Sequence, residues 1–97
     1  MSLHSLRYQS TIVAPIAEED MRAMLVKARA FNAANQISGM LLYRDGQFVQ
    51  VLEGEEATIR ILYDKILCDP RHTNMQMLED APLNHRKFAS WTMAYRS

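Results

Sequence analysis

Residues 4–12, His-Ser-Leu-Arg-Tyr-Gln-Ser-Thr-Ile, alternate: Leu6, Tyr8, Ser10 and Ile12 share one face, and Arg7, Gln9 and Thr11 share the other. A period of two predicts a strand with one face on a core. Pro15 closes the loop that follows. From residue 18 to residue 34 the period lengthens. Met21, Met24, Leu25, Ala28 and Phe31 recur at spacings of three and four, which predicts a helix with one apolar stripe. Glu18, Glu19 and Asp20 occupy its first turn, with Arg22, Lys27 and Arg29 after them, an order that suits the helix dipole. At about 100° per residue, Asn32 falls roughly 20° from Met21, so an amide points along the apolar stripe.

Residues 38–53 read as a β-hairpin. Asp45-Gly46 is a strong signal for a two-residue type I′ turn. That turn sets Arg44 opposite Gln47, Tyr43 opposite Phe48, and Leu41 opposite Gln50. The second hairpin strand is apolar on both faces, as a central strand is. Gln50 stands in it between Val49 and Val51. A buried primary amide must find partners for two donors and an acceptor, or it costs stability. Residues 55–67 predict a second helix that buries Ile59, Leu62, Tyr63 and Ile66, with Glu53-Gly54-Glu55 as its candidate cap. Pro70 ends it, because helix is disfavoured at Asp69. A fourth strand is expected over 74–81. A fifth is expected over 87–95, with Trp91, Met93 and Tyr95 on one face. The order β-α-β-β-α-β-β, with short linkers, predicts a ferredoxin-like α+β sandwich: a five-stranded mixed sheet with both helices on one face.

Composition narrows the function classes. The chain has 97 residues, 48% of them apolar, enough for one domain with a modest core. Formal net charge is +0 and the basic residues are scattered, which gives no nucleic-acid footprint and no membrane-binding basic face. The longest apolar run is far too short to span a bilayer, and the first ten residues lack the apolar core of a signal peptide. The expected compartment is the cytoplasm. Cys68, the one cysteine, has no partner for a disulfide and is expected to be a buried or half-buried structural thiol. His4, His72 and His85 are far apart in sequence and indicate no metal site. No glycine-rich dinucleotide loop, P-loop or Ser-His-Asp arrangement is evident.

Tyr8, Asn32 and Gln50 then point into one layer between helices and sheet. Taken singly, Tyr8 reads as a core phenol and Asn32 as a helix cap. Together, a phenol and two amides in an otherwise apolar pocket suit a planar heteroaromatic ligand with mixed donors and acceptors. None of the three is a strong acid or base at neutral pH, so the set favours ring recognition and redox chemistry over hydrolysis. Two other readings stay open. An enzyme of acylphosphatase type needs an arginine and a phosphate-cradling loop after the first strand, and residues 9–16, Gln-Ser-Thr-Ile-Val-Ala-Pro-Ile, contain neither arginine nor glycine. A cofactor-free interaction module is the other.

The chain resembles the BLUF family, blue-light sensors that use FAD. The likeness runs from Leu-Arg-Tyr-Gln-Ser (6–10), through residues 28–55 and Leu-Tyr-Asp-Lys-Ile-Leu-Cys-Asp-Pro-Arg-His (62–72), to Trp-Thr-Met-Ala-Tyr (91–95). The resemblance implies that the chain is not an enzyme and binds FAD, or FMN, between its two helices. It implies that Tyr8 is the photoactive tyrosine, that Gln50 bridges Tyr8 and flavin N5, and that Asn32 grips the C4 carbonyl and N3–H. Met24 and Ile66 would sandwich the ring, Asp69 and Arg71 would lie near its C2 edge, and Lys65 near its mouth or phosphate. Ser10 would lie near Trp91, and Trp91 and Met93 would exchange places or hydrogen bonds between light and dark. Phe31 stands where some members carry a polar residue, and Ser38 where threonine is common. Short members continue past the fifth strand into C-terminal helices, so the expectation is one sensor domain over 1–97 without them. A downstream signalling partner and homo-oligomerisation through the uncovered sheet face are also expected.

Overall fold

The computed structural model describes residues 2–96. The elements are β1 (Leu3–Ile12), α1 (Glu18–Ala34), β2 (Ser38–Arg44), β3 (Gln47–Glu55), α2 (Glu56–Leu67), β4 (His72–Pro82) and β5 (Ala94–Arg96). They form one five-stranded sheet in the order β4-β1-β3-β2-β5. β3 runs antiparallel to both β1 and β2, β4 is antiparallel to β1, and β5 is parallel to β2. This is the mixed α+β sandwich that the pattern predicts.

The hairpin has the expected register: Leu41 opposes Gln50, Tyr43 opposes Phe48 and Arg44 opposes Gln47. The turn requires it. Asp45 and Gly46 take φ of 53° and 75°, the left-handed region that a type I′ turn demands at both positions. Gly39 answers a different need. A Cβ built there would lie 2.0 Å from the Val51 carbonyl oxygen, so only glycine allows β2 to approach β3 this closely.

Helix α1 has no side-chain N-cap, and its acidic first turn faces the dipole instead. It ends where Asn32 and Phe31 carbonyls accept from Asn35 N–H, and Gln36 turns the chain at φ 56°. Helix α2 is capped by Glu55, whose carboxylate accepts from Ala57 N–H at 3.2 Å and from the Thr58 hydroxyl at 3.0 Å. The alternation in β1 places Leu6, Tyr8, Ser10 and Ile12 in the core, where they meet Leu41, Phe48 and Leu52 from the sheet and Met21, Leu25 and Ile59 from the helices. Leu6, Leu52 and Ile59 are each 0% exposed; full burial of such side chains contributes roughly 1.5–3 kcal/mol apiece. No described helix is long and apolar enough to cross a membrane.

Three expectations are corrected. The fifth strand does not begin near Lys87: only Ala94–Arg96 pair with β2. The preceding residues form turns, and the Phe88 and Lys87 N–H groups bind the Glu53 carboxylate rather than a strand. As a result Trp91 and Met93 do not share a face: Trp91 is 58% exposed and Met93 is 2% exposed. Cys68 is exposed rather than buried, because it follows the last turn of α2.

Candidate functional site

A slot of about 240 Å³ opens between α1 and α2, with the sheet as its floor. Met24, Leu25, Lys27, Ala28, Phe31 and Asn32 line it from α1, and Leu62 and Ile66 from α2. Leu41, Phe48 and Gln50 form the floor, Asp69, Arg71 and His72 one end, and Met93 reaches in beside Gln50. The walls are apolar and the polar groups few, which is the make-up of a small-molecule site.

The register of β1 on β3 places Tyr8 directly opposite Gln50. The Tyr8 hydroxyl donates to Gln50 Oε1 at 2.6 Å. Tyr8 is 1% exposed and packs edge-on against Tyr63, with ring centroids 4.9 Å apart. Burial, with a smaller contribution from Tyr63, pushes the Tyr8 phenol well above its ordinary pKa. It therefore stays protonated at neutral pH and is held as a donor. The other end of the Gln50 amide has only a weak partner: Nε2 faces Met93 Sδ at 4.0 Å.

Asn32 lies on the slot wall, 1% exposed. Its Nδ2 donates to the Thr92 carbonyl at 2.7 Å, which uses one of its two donors. Arg29 Nε donates to the Met93 carbonyl at 3.0 Å. The helix that carries Asn32 thus also holds the backbone of the segment that carries Met93.

At the far end Arg71 grips Asp69 through its guanidinium, at 2.6 Å for the shortest contact, and this holds the Asp69 carboxyl down at about 2. Arg71 Nη1 also lies 3.3 Å from Met24 Sδ. His72, half-buried beside the Phe48 ring, shares a 2.8 Å hydrogen bond between its Nδ1 and Ser10 Oγ. Desolvation lowers its pKa below 6.5. Lys65 is exposed, with Nζ 5.5 Å from the centre of the Phe31 ring; it sits at the rim and is not part of the lining.

The geometry brings Gln50, Asn32, Met24, Ile66, Asp69, Arg71 and Met93 to one slot and sets Tyr8 behind Gln50, to which it is hydrogen-bonded. It separates Ser10 from Trp91, which corrects the expectation that they are neighbours. Ser10 pairs with Phe48 in register and bonds His72, whereas the Trp91 carbonyl accepts from Gly39 N–H near the other end of the sheet. Sequence reasoning gave His72 no place in the ligand site. Its reach to Ser10 spans 62 residues and has no local signal. Among the described residues, no group of three or more His, Cys, Asp or Glu side chains is placed to hold a metal ion.

Comparison with known proteins places the fold in a family. The chain is 40% identical over 93 residues to the photoactivated adenylate cyclase subunit beta of Euglena longa, covering 95% of this chain and 11% of that protein. It spans only that small fraction of the curated relatives it matches. A solved bacterial light-regulated adenylyl cyclase superposes with a TM-score of 0.94 at 35% identity, over 97% of this chain and 28% of the other. The dark-state structure of BlrB, a BLUF protein, superposes with a TM-score of 0.91 at 31% identity, over 97% of this chain and 71% of the other. Residues 3–94 match the family model described as sensors of blue-light using FAD, and the chain belongs to that family, BLUF.

Proposed function

We propose that this chain is a light-sensing module that holds an oxidised flavin in the slot between α1 and α2, with Tyr8 and Gln50 as its photoactive pair. The observation that carries the reading is the 2.6 Å Tyr8–Gln50 bond at the floor of an apolar slot whose wall bears a second amide, Asn32. That donor set fits the ring. Amides match mixed donor and acceptor edges, Met24 and Ile66 supply apolar faces, and no ionised group lies on the floor. The FAD and FMN forms share this ring, and the side chains of Lys27 and Arg71 on the lining and Lys65 at the rim would supply positive charge to a phosphate arm.

A bound flavin, once excited by blue light, supplies a transient acceptor for an electron and a proton. The protein's part follows from its own groups. In the dark Tyr8 is locked protonated, so no proton leaves it thermally. When Tyr8 is oxidised its hydroxyl proton has one hydrogen-bonded neighbour, Gln50 Oε1, to receive it. After the proton returns, Gln50 has two settings. In one its oxygen accepts from Tyr8, as here; in the rotated form the nitrogen side faces Tyr8 and the oxygen points away, and in the tautomeric form the oxygen carries a proton and the nitrogen becomes an acceptor. The change alters what Gln50 presents to Met93, and the 91–93 segment relays it. A ligand state moves a protein only through such differential contacts. We propose that the module signals to an output partner, as cyclase-linked relatives suggest, and has no catalysis of its own.

Purified protein loaded with FAD, and separately with FMN, tests the reading. The expected result is a yellow protein whose visible spectrum shifts reversibly to the red under blue light. A folded protein that takes up neither flavin overturns it.

A further inference from the structure

β3 has two faces, and the site uses only one. Gln50 and Leu52 face the helices, so Val51 and Glu53 face away. Glu53 is nevertheless 0% exposed. What covers it is the segment between β4 and β5. The Glu53 carboxylate accepts from Lys87 N–H at 2.8 Å, from Phe88 N–H at 2.9 Å and from the Ser38 hydroxyl at 2.9 Å. Arg86 packs beside it and donates to Ser38 Oγ at 2.9 Å, to the Glu53 carbonyl at 3.0 Å and to the Gln36 carbonyl at 2.6 Å. A carboxylate this buried is costly unless each acceptor is used, and here two of its three donors are adjacent backbone N–H groups of one short stretch, the third being the Ser38 hydroxyl.

That stretch leads directly to the slot. Trp91 N–H bonds the Phe88 carbonyl at 2.9 Å, and the Trp91 carbonyl accepts from Gly39 N–H at 3.1 Å. The next two residues are Thr92, held by Asn32, and Met93, held by Arg29 and facing Gln50. One segment therefore runs from Glu53 on the outer face of the strand, where hydrogen bonds hold it, to Gln50 on the inner face, three positions away, where Asn32 and Arg29 of α1 hold its backbone.

We propose that Glu53 is a positioning residue whose buried carboxylate anchors the 87–93 segment, so that it sets how long the light-adapted arrangement of Gln50 and Met93 persists. The inference rests on the photoreceptor reading above. Passing between the two arrangements at Met93 displaces a segment that Glu53 holds fixed, and the displacement is greatest at the crossing between them. Weakening the anchor lowers the barrier for the segment to return.

The test is the dark-recovery rate of the spectral shift in flavin-loaded Glu53→Gln and Ser38→Ala. Gln replaces one acceptor oxygen with a donor that opposes a backbone N–H. The Ser38 variant removes one donor and leaves both backbone bonds, so it remains informative if Glu53→Gln fails to fold. Hydrogen exchange at Lys87 and Phe88, measured in the dark, reports whether the anchor is loosened. The expected result is faster exchange at both amides and recovery about tenfold faster, with the size of the shift retained. A merely structural role would lower the melting temperature and leave recovery alone at temperatures well below it. Recovery within about twofold of the unsubstituted protein, in a variant whose Lys87 and Phe88 exchange has accelerated, overturns the proposal. Absence of any shift in the unsubstituted protein would instead overturn the photoreceptor reading.

Discussion

Tyr8→Phe removes one oxygen atom and one hydrogen bond, and its two consequences separate sharply. The ring remains in its pocket, 4.9 Å from the Tyr63 ring, because the hydroxyl plays no part in that edge-on contact. The lost bond is neutral on both sides, and such a bond contributes about 1 kcal/mol net. Gln50 is only partly buried and borders the slot, so its freed oxygen can be hydrated and the cost does not grow. For a domain of this size about 1 kcal/mol lowers the melting temperature by roughly 4–8 °C. Flavin affinity is expected to change by less than about fivefold, since that corresponds to about 1 kcal/mol. The photochemistry, by contrast, is expected to vanish, because the proton donor to Gln50 is gone. Thermal unfolding, flavin titration and the lit-minus-dark spectrum on one preparation measure all three. A full reversible shift in Tyr8→Phe would refute the role of the 2.6 Å bond. A protein that no longer folds would refute the packing argument.

Two further predictions concern the scaffold. Gly39→Ala forces a Cβ against the Val51 carbonyl oxygen, which backbone cannot yield cheaply; a loss of roughly 2–3 kcal/mol is expected in urea denaturation, and a loss below about 0.5 kcal/mol would contradict the close approach. For pH, His72 has a folded pKa below its ordinary 6.5, so it favours the fold when neutral. Its contribution is complete above 6.5 and is lost as pH falls through the lower folded value. The urea midpoint should therefore drop between pH 7.5 and 5.5, and the drop should shrink in His72→Asn; an unchanged drop would place its origin elsewhere. Asp69, held at about 2, contributes to this loss only in more acidic solution, below its ordinary 3.8.

Much of the site was legible because its signals are local. A period of two placed Tyr8 inward, a period of 3.6 placed Asn32 on the buried stripe, and one Asp-Gly turn fixed the register that sets Leu41 against Gln50. The pairing of Tyr8 with Gln50 needs β1 beside β3, which the element order supplies. What failed was non-local. Residues 87–95 alternate as a strand does, yet their first N–H groups are taken by Glu53, a residue 34 positions away. The alternation of Trp91, Met93 and Tyr95 could not reveal this competitor. Glu53 itself carried a clue, a carboxylate directly after the apolar pair Val51-Leu52, but its neighbour Glu55 offered an easier use as a helix cap and does cap α2. The Ser10–His72 bond failed for the same reason: two distant strands meet, and neither sequence window contains the other.

If Gln50 switches as proposed, the energetics assign the 91–93 segment a part in it. A dark arrangement that holds 99% of molecules needs an advantage of about 2.7 kcal/mol over its alternative, half the span between 1:99 and 99:1. The Tyr8–Gln50 bond cannot supply that difference alone. It contributes about 1 kcal/mol net, and a rotated Gln50 recovers part of it by letting Tyr8 accept where it now donates. The Nε2 contact with sulfur at 4.0 Å adds little. The remaining bias must come from groups that distinguish the two ends of the amide. On the protein side these are Met93, 2% exposed, and the bonds from Asn32 and Arg29 that hold its backbone in place. On the proposed mechanism, the segment that receives the signal is thus also one that defines the resting state.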